Sequence, residues 1–131
     1  MKNIIPFLCA LALTPLAAFA ADKVPSISHD ELVNAVETKQ AVVIDVNGTE
    51  SYQAGHIPGA IDFQAEKDQL ASKLPKSKDA LVVAYCGNEQ CGAYMRAAKA
   101  AKDLGYINVK HYSPGIAGWK KSSAPLEKSS S

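Results

Sequence analysis

Val82-Val83-Ala84-Tyr85 runs directly into Cys86, and Cys91 follows after Gly87-Asn88-Glu89-Gln90. Two thiols at that separation can attack sulfur, exchange disulfides or bind a metal. The C-x4-C spacing lies outside the common C-x2-C pattern of structural zinc, so no metal is expected. The apolar run reads as a buried strand that ends on Cys86. The Ala-rich "CGAYMRAAKAAKDLG" after it reads as a helix, with Gly105 as its C′ residue. A strand–short loop–helix unit gathers backbone N–H groups into one concavity and adds the positive end of the helix dipole. A thiol held there ionises more readily than a free cysteine, whose pKa is about 8.5. Its thiolate is poised to attack sulfur, and the N–H cradle can hold the added, negatively charged atom.

The compartment bears on which chemistry applies. "MKNIIPFLCALALTPLAAFA" carries Lys2, an uncharged apolar stretch and Ala18-Phe19-Ala20. This is the order of a secretory signal, with cleavage expected after Ala20 and a periplasmic or secreted mature chain. The stretch is short for a membrane span and holds Pro6 and Pro15, so no membrane association is expected after cleavage. Cleavage removes Cys9 and leaves Cys86 and Cys91 as the cysteines of the mature chain, in surroundings where thiols tend to pair.

The chain has 131 residues, enough for one domain. Hydrophobic residues make up 47% and charged residues 21%, the profile of a globular protein. A net charge of +1 and the absence of a basic stripe argue against nucleic acid as a partner. The expected organisation is a signal peptide over 1–20, a short lead over 21–26, one domain over 27–125 and a disordered tail over 126–131.

Elements alternate along the mature chain. Ser28 precedes Glu31 by three residues as in a capping box, and Leu32, Val33 and Val36 share one helical face. "AVVIDV" is a buried strand ending near Asp45, and residues 47–60 are loop with one short helical turn. "AIDF" is a short strand. "AEKDQLASKLP" is a helix that stops by Leu74, ahead of Pro75. "INVKHY" is a last strand and "GIAGWKK" a terminal helix, whose Trp119 is read as core. Strands apolar on both faces, alternating with helices, predict a parallel sheet covered on both sides. In such folds the chemistry sits at the carboxyl ends of the strands, where Cys86 lies.

Taken together, "VVIDVNGTESYQAGHIPGAIDF" and "VVAYCGNEQCGAYMRAAKAAKDLGYINVKHYSPGIAGW" resemble the two signature halves of single-domain rhodanese-like sulfurtransferases. The resemblance implies an α/β three-layer fold: a five-stranded parallel sheet with helices on both faces. It implies Cys86 as the catalytic nucleophile that carries sulfane sulfur as a persulfide. Gly87, Asn88, Glu89, Gln90, Cys91 and Gly92 form the substrate-binding loop. Asp45 supports the site as a structural acceptor. Arg96, one turn into the helix, either reaches the pocket mouth or is solvated. No cofactor is implied. The partners are a small sulfur donor (thiosulfate, polysulfide or persulfide) and a thiol acceptor or redox partner protein.

The sequence departs from the family in three places. The loop lacks the Arg or Lys that often attracts thiosulfate, and Glu89 adds a negative charge, so thiosulfate activity is expected to be weak. Asn47 stands where the family usually has Arg. Cys91 is open to three readings: a thiol that resolves a persulfide on Cys86, a standing disulfide partner, or a small residue at a helix start. A thiol–disulfide redox protein and a non-catalytic binding module therefore remain as alternative functions. His56 is read as packing locally, His29 as solvated, and His111 is assigned no role.

Overall fold

The computed structural model describes residues 23–129. The leader expected over 1–20 lies outside these residues. Four strands form the sheet: β1 (Ala41–Asp45), β2 (Ile61–Asp62), β3 (Leu81–Tyr85) and β4 (Val109–Tyr112). All pairings are parallel, in the order β2-β1-β3-β4. The fifth position is reduced to a single bridge between Ser26 and His111, flanked by His111 N–H to Pro25 O and Ile27 N–H to His111 O, 2.9 Å each. Pro25 has no N–H to give a ladder, which keeps this edge short.

The strands alternate faces as a two-sided buried sheet must. Ile44, Val82, Ala84 and Val109 turn toward one layer, with Leu70, Leu74, Ala97, Ala98 and Ala101. Val43, Val83, Tyr85 and Tyr112 turn toward the other, with Leu32, Ile57 and Trp119. Helices α1 (His29–Glu37) and α6 (Gly115–Lys121) cover the second face, while α4 (Leu70–Lys73) and α5 (Tyr94–Asp103) cover the first. Two further short helices, α2 (Thr49–Ala54) and α3 (Phe63–Glu66), precede α4.

Local chemistry sets the ends of these elements. Ser28 Oγ accepts the Glu31 N–H at 3.2 Å, the expected cap of α1. Gly105, at φ +98°, closes α5, with Tyr106 N–H on Ala101 O and Gly105 N–H on Lys102 O, a Schellman arrangement. Asp62 ends β2 early because its Oδ1 accepts the Gln64 and Ala65 N–H groups and starts α3. The single helix expected over 65–74 is broken by a 3-10 turn at Lys67–Gln69. The tail expected to be disordered from 126 is held through 129. His56 and Glu127 exchange backbone hydrogen bonds at 2.9 and 3.0 Å, and Ser129 N–H reaches Gln53 O at 3.2 Å. Trp119 Nε1–H also anchors this segment through Pro125 O at 2.8 Å.

Chain order reverses between β1 and β3, whose ends Asp45 and Tyr85 stand in register. Asp45 is fully buried here. Its Oδ2 accepts the Tyr85 hydroxyl and its Oδ1 accepts the Asn47 N–H at 2.8 Å. The Tyr85 hydroxyl oxygen in turn accepts the Ile57 N–H at 3.1 Å. Burial pushes the Asp45 carboxyl above its ordinary range, and the bond from Tyr85 opposes that shift. The folded state therefore binds this proton more tightly than the unfolded chain does. Its share of stability falls as pH rises from the ordinary carboxylate range through the raised value.

Tyr85→Phe leaves the carboxylate oxygen and the Ile57 N–H without partners and is expected to lower stability by about 2–4 kcal/mol near neutrality. The loss should be smaller at pH 4 than near neutrality, because falling pH moves Asp45 toward its protonated form. Urea titrations at both pH values check this, and an equal loss at each would contradict the assignment.

Candidate functional site

Cys86 follows β3 directly, at the point where chain order reverses and an open α/β sheet offers its binding crevice. The residue is buried, with 3% exposure. Asn88 turns the chain after it: Asn88 Oδ1 accepts the Gln90 N–H at 2.9 Å, and Asn88 O accepts the Cys91 N–H at 3.2 Å. This Asx-type turn folds Cys91 back onto Cys86. Their Cα atoms lie 6.1 Å apart, within the range a disulfide spans, and the two sulfurs are bonded. Cys91 is half-buried, while Asn88, Glu89 and Gln90 at the loop tip are exposed.

Helix α5 begins at Tyr94, three residues later than the position that would put Cys91 at its start. Tying Cys91 back to Cys86 takes it off the helical path. The helix then opens with tight bonds from Met95 N–H to Gly92 O and from Arg96 N–H to Ala93 O. Among the described residues one N–H group reaches the Cys86 sulfur, that of Tyr94 at 3.2 Å. The Gln90 and Cys91 amides, expected to face the sulfur, bond Asn88 in this closed form. The cradle thus divides its amides between the sulfur and its own turn.

Three positioning residues escaped the sequence reading. Gly115, at φ +63°, presses against the loop: a Cβ there would lie 2.5 Å from Cys86 O and 2.8 Å from Asn88 N. This contact lets Ile116 and Ala117 donate to Cys86 O and Gly87 O at 2.9 Å each, so the start of α6 clamps the loop. The Gly-x-x-x-Trp end of the second signature was the available signal, but it did not say what the glycine touches. Lys121 lines an open groove of about 500 Å3 together with Asn88, Glu89, Gln90 and Pro114, placing a cation opposite Glu89. Nothing in the sequence order links Lys121 to the loop. His111 stacks on Tyr94, with ring centroids 4.3 Å apart and 6° between planes, and donates Nδ1–H to Val24 O at 2.9 Å.

The other expected residues fall as follows. Asp45 serves the buried network described above rather than the sulfur. Arg96 is exposed and makes no ion pair among the described residues. Asn47 approaches Gly87, where its Oδ1 lies 3.6 Å from the place a Cβ would occupy. Its Nδ2 is buried without a partner among the described residues. His56 packs locally, stacked on Tyr52 and donating Nδ1–H to Tyr52 O at 2.6 Å. His29 is not merely solvated: its Nδ1 lies 2.7 Å from the Tyr112 hydroxyl oxygen.

Alanine at position 115 must both hold a positive φ and displace the Cys86 carbonyl. Gly115→Ala is expected to lower stability by about 2 kcal/mol or more. Denaturant midpoints measure this, and an unchanged midpoint would show that the clamp is not needed.

A family model described as the Rhodanese-like domain matches residues 28–122. A helix-turn-helix-type transcriptional regulator of Mycobacterium tuberculosis is 34% identical over 120 residues, covering 88% of this chain and 52% of the regulator. The chain thus spans about half the length of that relative. A human thiosulfate:glutathione sulfurtransferase is 27% identical over 108 residues, covering 72% of this chain and 92% of the enzyme. A crystal structure of a Bacillus halodurans protein superposes with a TM-score of 0.62 at 25% identity, covering 79% of this chain and 77% of that one.

Proposed function

We infer that this chain, which belongs to the rhodanese-like family, works as a sulfurtransferase-type protein whose Cys86 carries sulfane sulfur as a persulfide and whose Cys91 resolves it. The observation that carries the reading is the placement of Cys86: buried at the crevice of the sheet, with the Tyr94 N–H on its sulfur and a second thiol within bonding reach. A relative named for transferring sulfur from thiosulfate to glutathione supports the sulfur-transfer part.

The steps balance as follows. The Cys86 thiolate attacks the outer sulfur of the donor and expels the remainder, sulfite in the case of thiosulfate, leaving a persulfide on Cys86. An acceptor thiolate then takes the outer sulfur and frees the Cys86 thiolate. Alternatively, the Cys91 thiolate attacks the inner sulfur of the protonated persulfide, which expels hydrosulfide and leaves the Cys86–Cys91 disulfide. The released sulfur is reduced while the two protein thiols are oxidised, so a thiol reductant must reopen the pair. That reductant meets Cys91 first, because Cys91 is half-buried and Cys86 nearly closed off. Attack there makes Cys86 the leaving thiolate, under the Tyr94 N–H. A leader-like segment over 1–20 and a pair of cysteines able to bond support an oxidising compartment, the periplasm or the exterior.

The bonded pair gives weight to a second reading, thiol–disulfide exchange without sulfane sulfur. Intact mass separates the two. Reduced protein treated with polysulfide is expected to gain one sulfur atom on Cys86, briefly in the parent and persistently in Cys91→Ser. Loss of two hydrogens by the parent, with no sulfur gain in either protein, assigns the redox reading instead.

Thiosulfate is expected to be a poor donor. The loop holds no cation, Glu89 stands at its tip, and an exposed helix dipole offers only about 0.3–1 kcal/mol to an anion. Steady-state assays should show half-saturation at millimolar thiosulfate or above, and micromolar saturation would contradict this.

A further inference from the structure

Beside the loop, on the flank away from Lys121, lies a second groove of about 270 Å3. Val46 and Phe63 give it an apolar wall, Asn47 faces Gly87, and Lys67 and Arg96 bring two positive charges. No carboxylate lines it, and neither cation makes an ion pair among the described residues. Asn47 Nδ2 has no protein acceptor there, and the terminal amide torsion is soft enough to turn that donor toward a ligand. The groove at the loop tip, by contrast, is lined by both Glu89 and Lys121, one charge of each sign. An anion approaching Cys86 and Cys91 is favoured on the Arg96 side.

We propose that this groove binds the carboxylate of a small thiol, the molecule that takes sulfur from Cys86 or reopens the Cys86–Cys91 bond. The inference rests on the sulfur-transfer reading for the first of these roles and stands without it for the second. The groove, about 270 Å3 and open to solvent on one side, lies below the usual range of drug-sized pockets, which favours a small aliphatic thiol acid. The cations of the groove stand on the 3-10 turn and on α5, outside the Cys86 loop. A ligand whose carboxylate lies several bonds from its thiol, with methylene groups along Phe63 and Val46, suits that arrangement better than compact thiosulfate.

Reduction of the disulfide tests this without any sulfane sulfur. A thiolate attacks the Cys91 sulfur, forms a mixed disulfide and releases the Cys86 thiolate. A second thiolate then yields the free small-molecule disulfide and the Cys91 thiolate. The rates for 3-mercaptopropionate and 2-mercaptoethanol are measured on the full-length protein. Each is divided by the rate of the same thiol on a small-molecule disulfide to remove differences in basicity. The parent is expected to favour the carboxylate thiol, and Lys67→Gln/Arg96→Gln to lose that preference roughly tenfold. Lys67→Glu should shift the preference toward the cationic thiol cysteamine. An unchanged ratio in both variants overturns the proposal. If the double variant instead raises the thiosulfate concentration needed for sulfur loading while the thiol ratio holds, the groove serves the donor and the acceptor assignment falls. Failure of sulfur loading with every donor would sink the persulfide reading alone and leave the measured ratio to judge the groove.

Discussion

A carboxylate buried at the end of β1 must be satisfied by hydrogen bonds, and the way Asp45 is satisfied organises the end of the molecule that carries Cys86. It takes the hydroxyl of Tyr85 from the neighbouring strand and the N–H of Asn47 from its own loop. Through Tyr85 it also fixes Ile57, ten residues beyond Asn47. An uncompensated buried charge costs several kcal/mol, so the strand ends and the 47–57 loop cannot drift apart without exposing it. Cys86 follows Tyr85 immediately and inherits its position from that constraint. Asp45 therefore acts on the chemistry by holding the floor under it, two links from the sulfur.

Above that floor the Cys86 sulfur is bonded to that of Cys91 and receives one backbone N–H. The Tyr94 amide lies against it, α6 clamps the carbonyls of residues 86 and 87, and Asn88 closes the turn. Cations stand back from the loop, Lys121 on one flank and Lys67 with Arg96 on the other. Separating charge from the nucleophile weakens attraction for a compact oxyanion at the sulfur itself. It leaves room to recognise a longer molecule by a group remote from its reacting atom. The unusual loop composition and the two flanking grooves thus belong to one electrostatic arrangement.

Much of this was legible in the residues. Strands apolar on both faces gave a parallel sheet, Ser28 and Gly105 marked helix ends, and the signature halves placed Cys86 at a strand terminus. These are local signals, set by period, capping and turn chemistry. What the sequence hid depends on partners distant in the chain. Gly115 matters because of a carbonyl 29 positions earlier, and Lys121 because α6 packs beside the loop. The tail reads as polar and free, yet Trp119 donates its indole N–H to it and the His56 backbone both donates to it and accepts from it. The late start of α5 follows from a covalent bond whose alternatives the spacing left open. The fifth strand was expected in full and exists as one bridge, because proline cannot extend a ladder.

That shortened border has a further meaning for life at high concentration. A sheet of strongly apolar strands would invite an extended segment of another molecule to add itself along an unprotected rim. Here one rim is only two residues long and ends on an aspartate already committed to its own helix. The other is occupied at His111 by the Pro25–Ile27 segment. Backbone pairing with another molecule is discouraged at both rims.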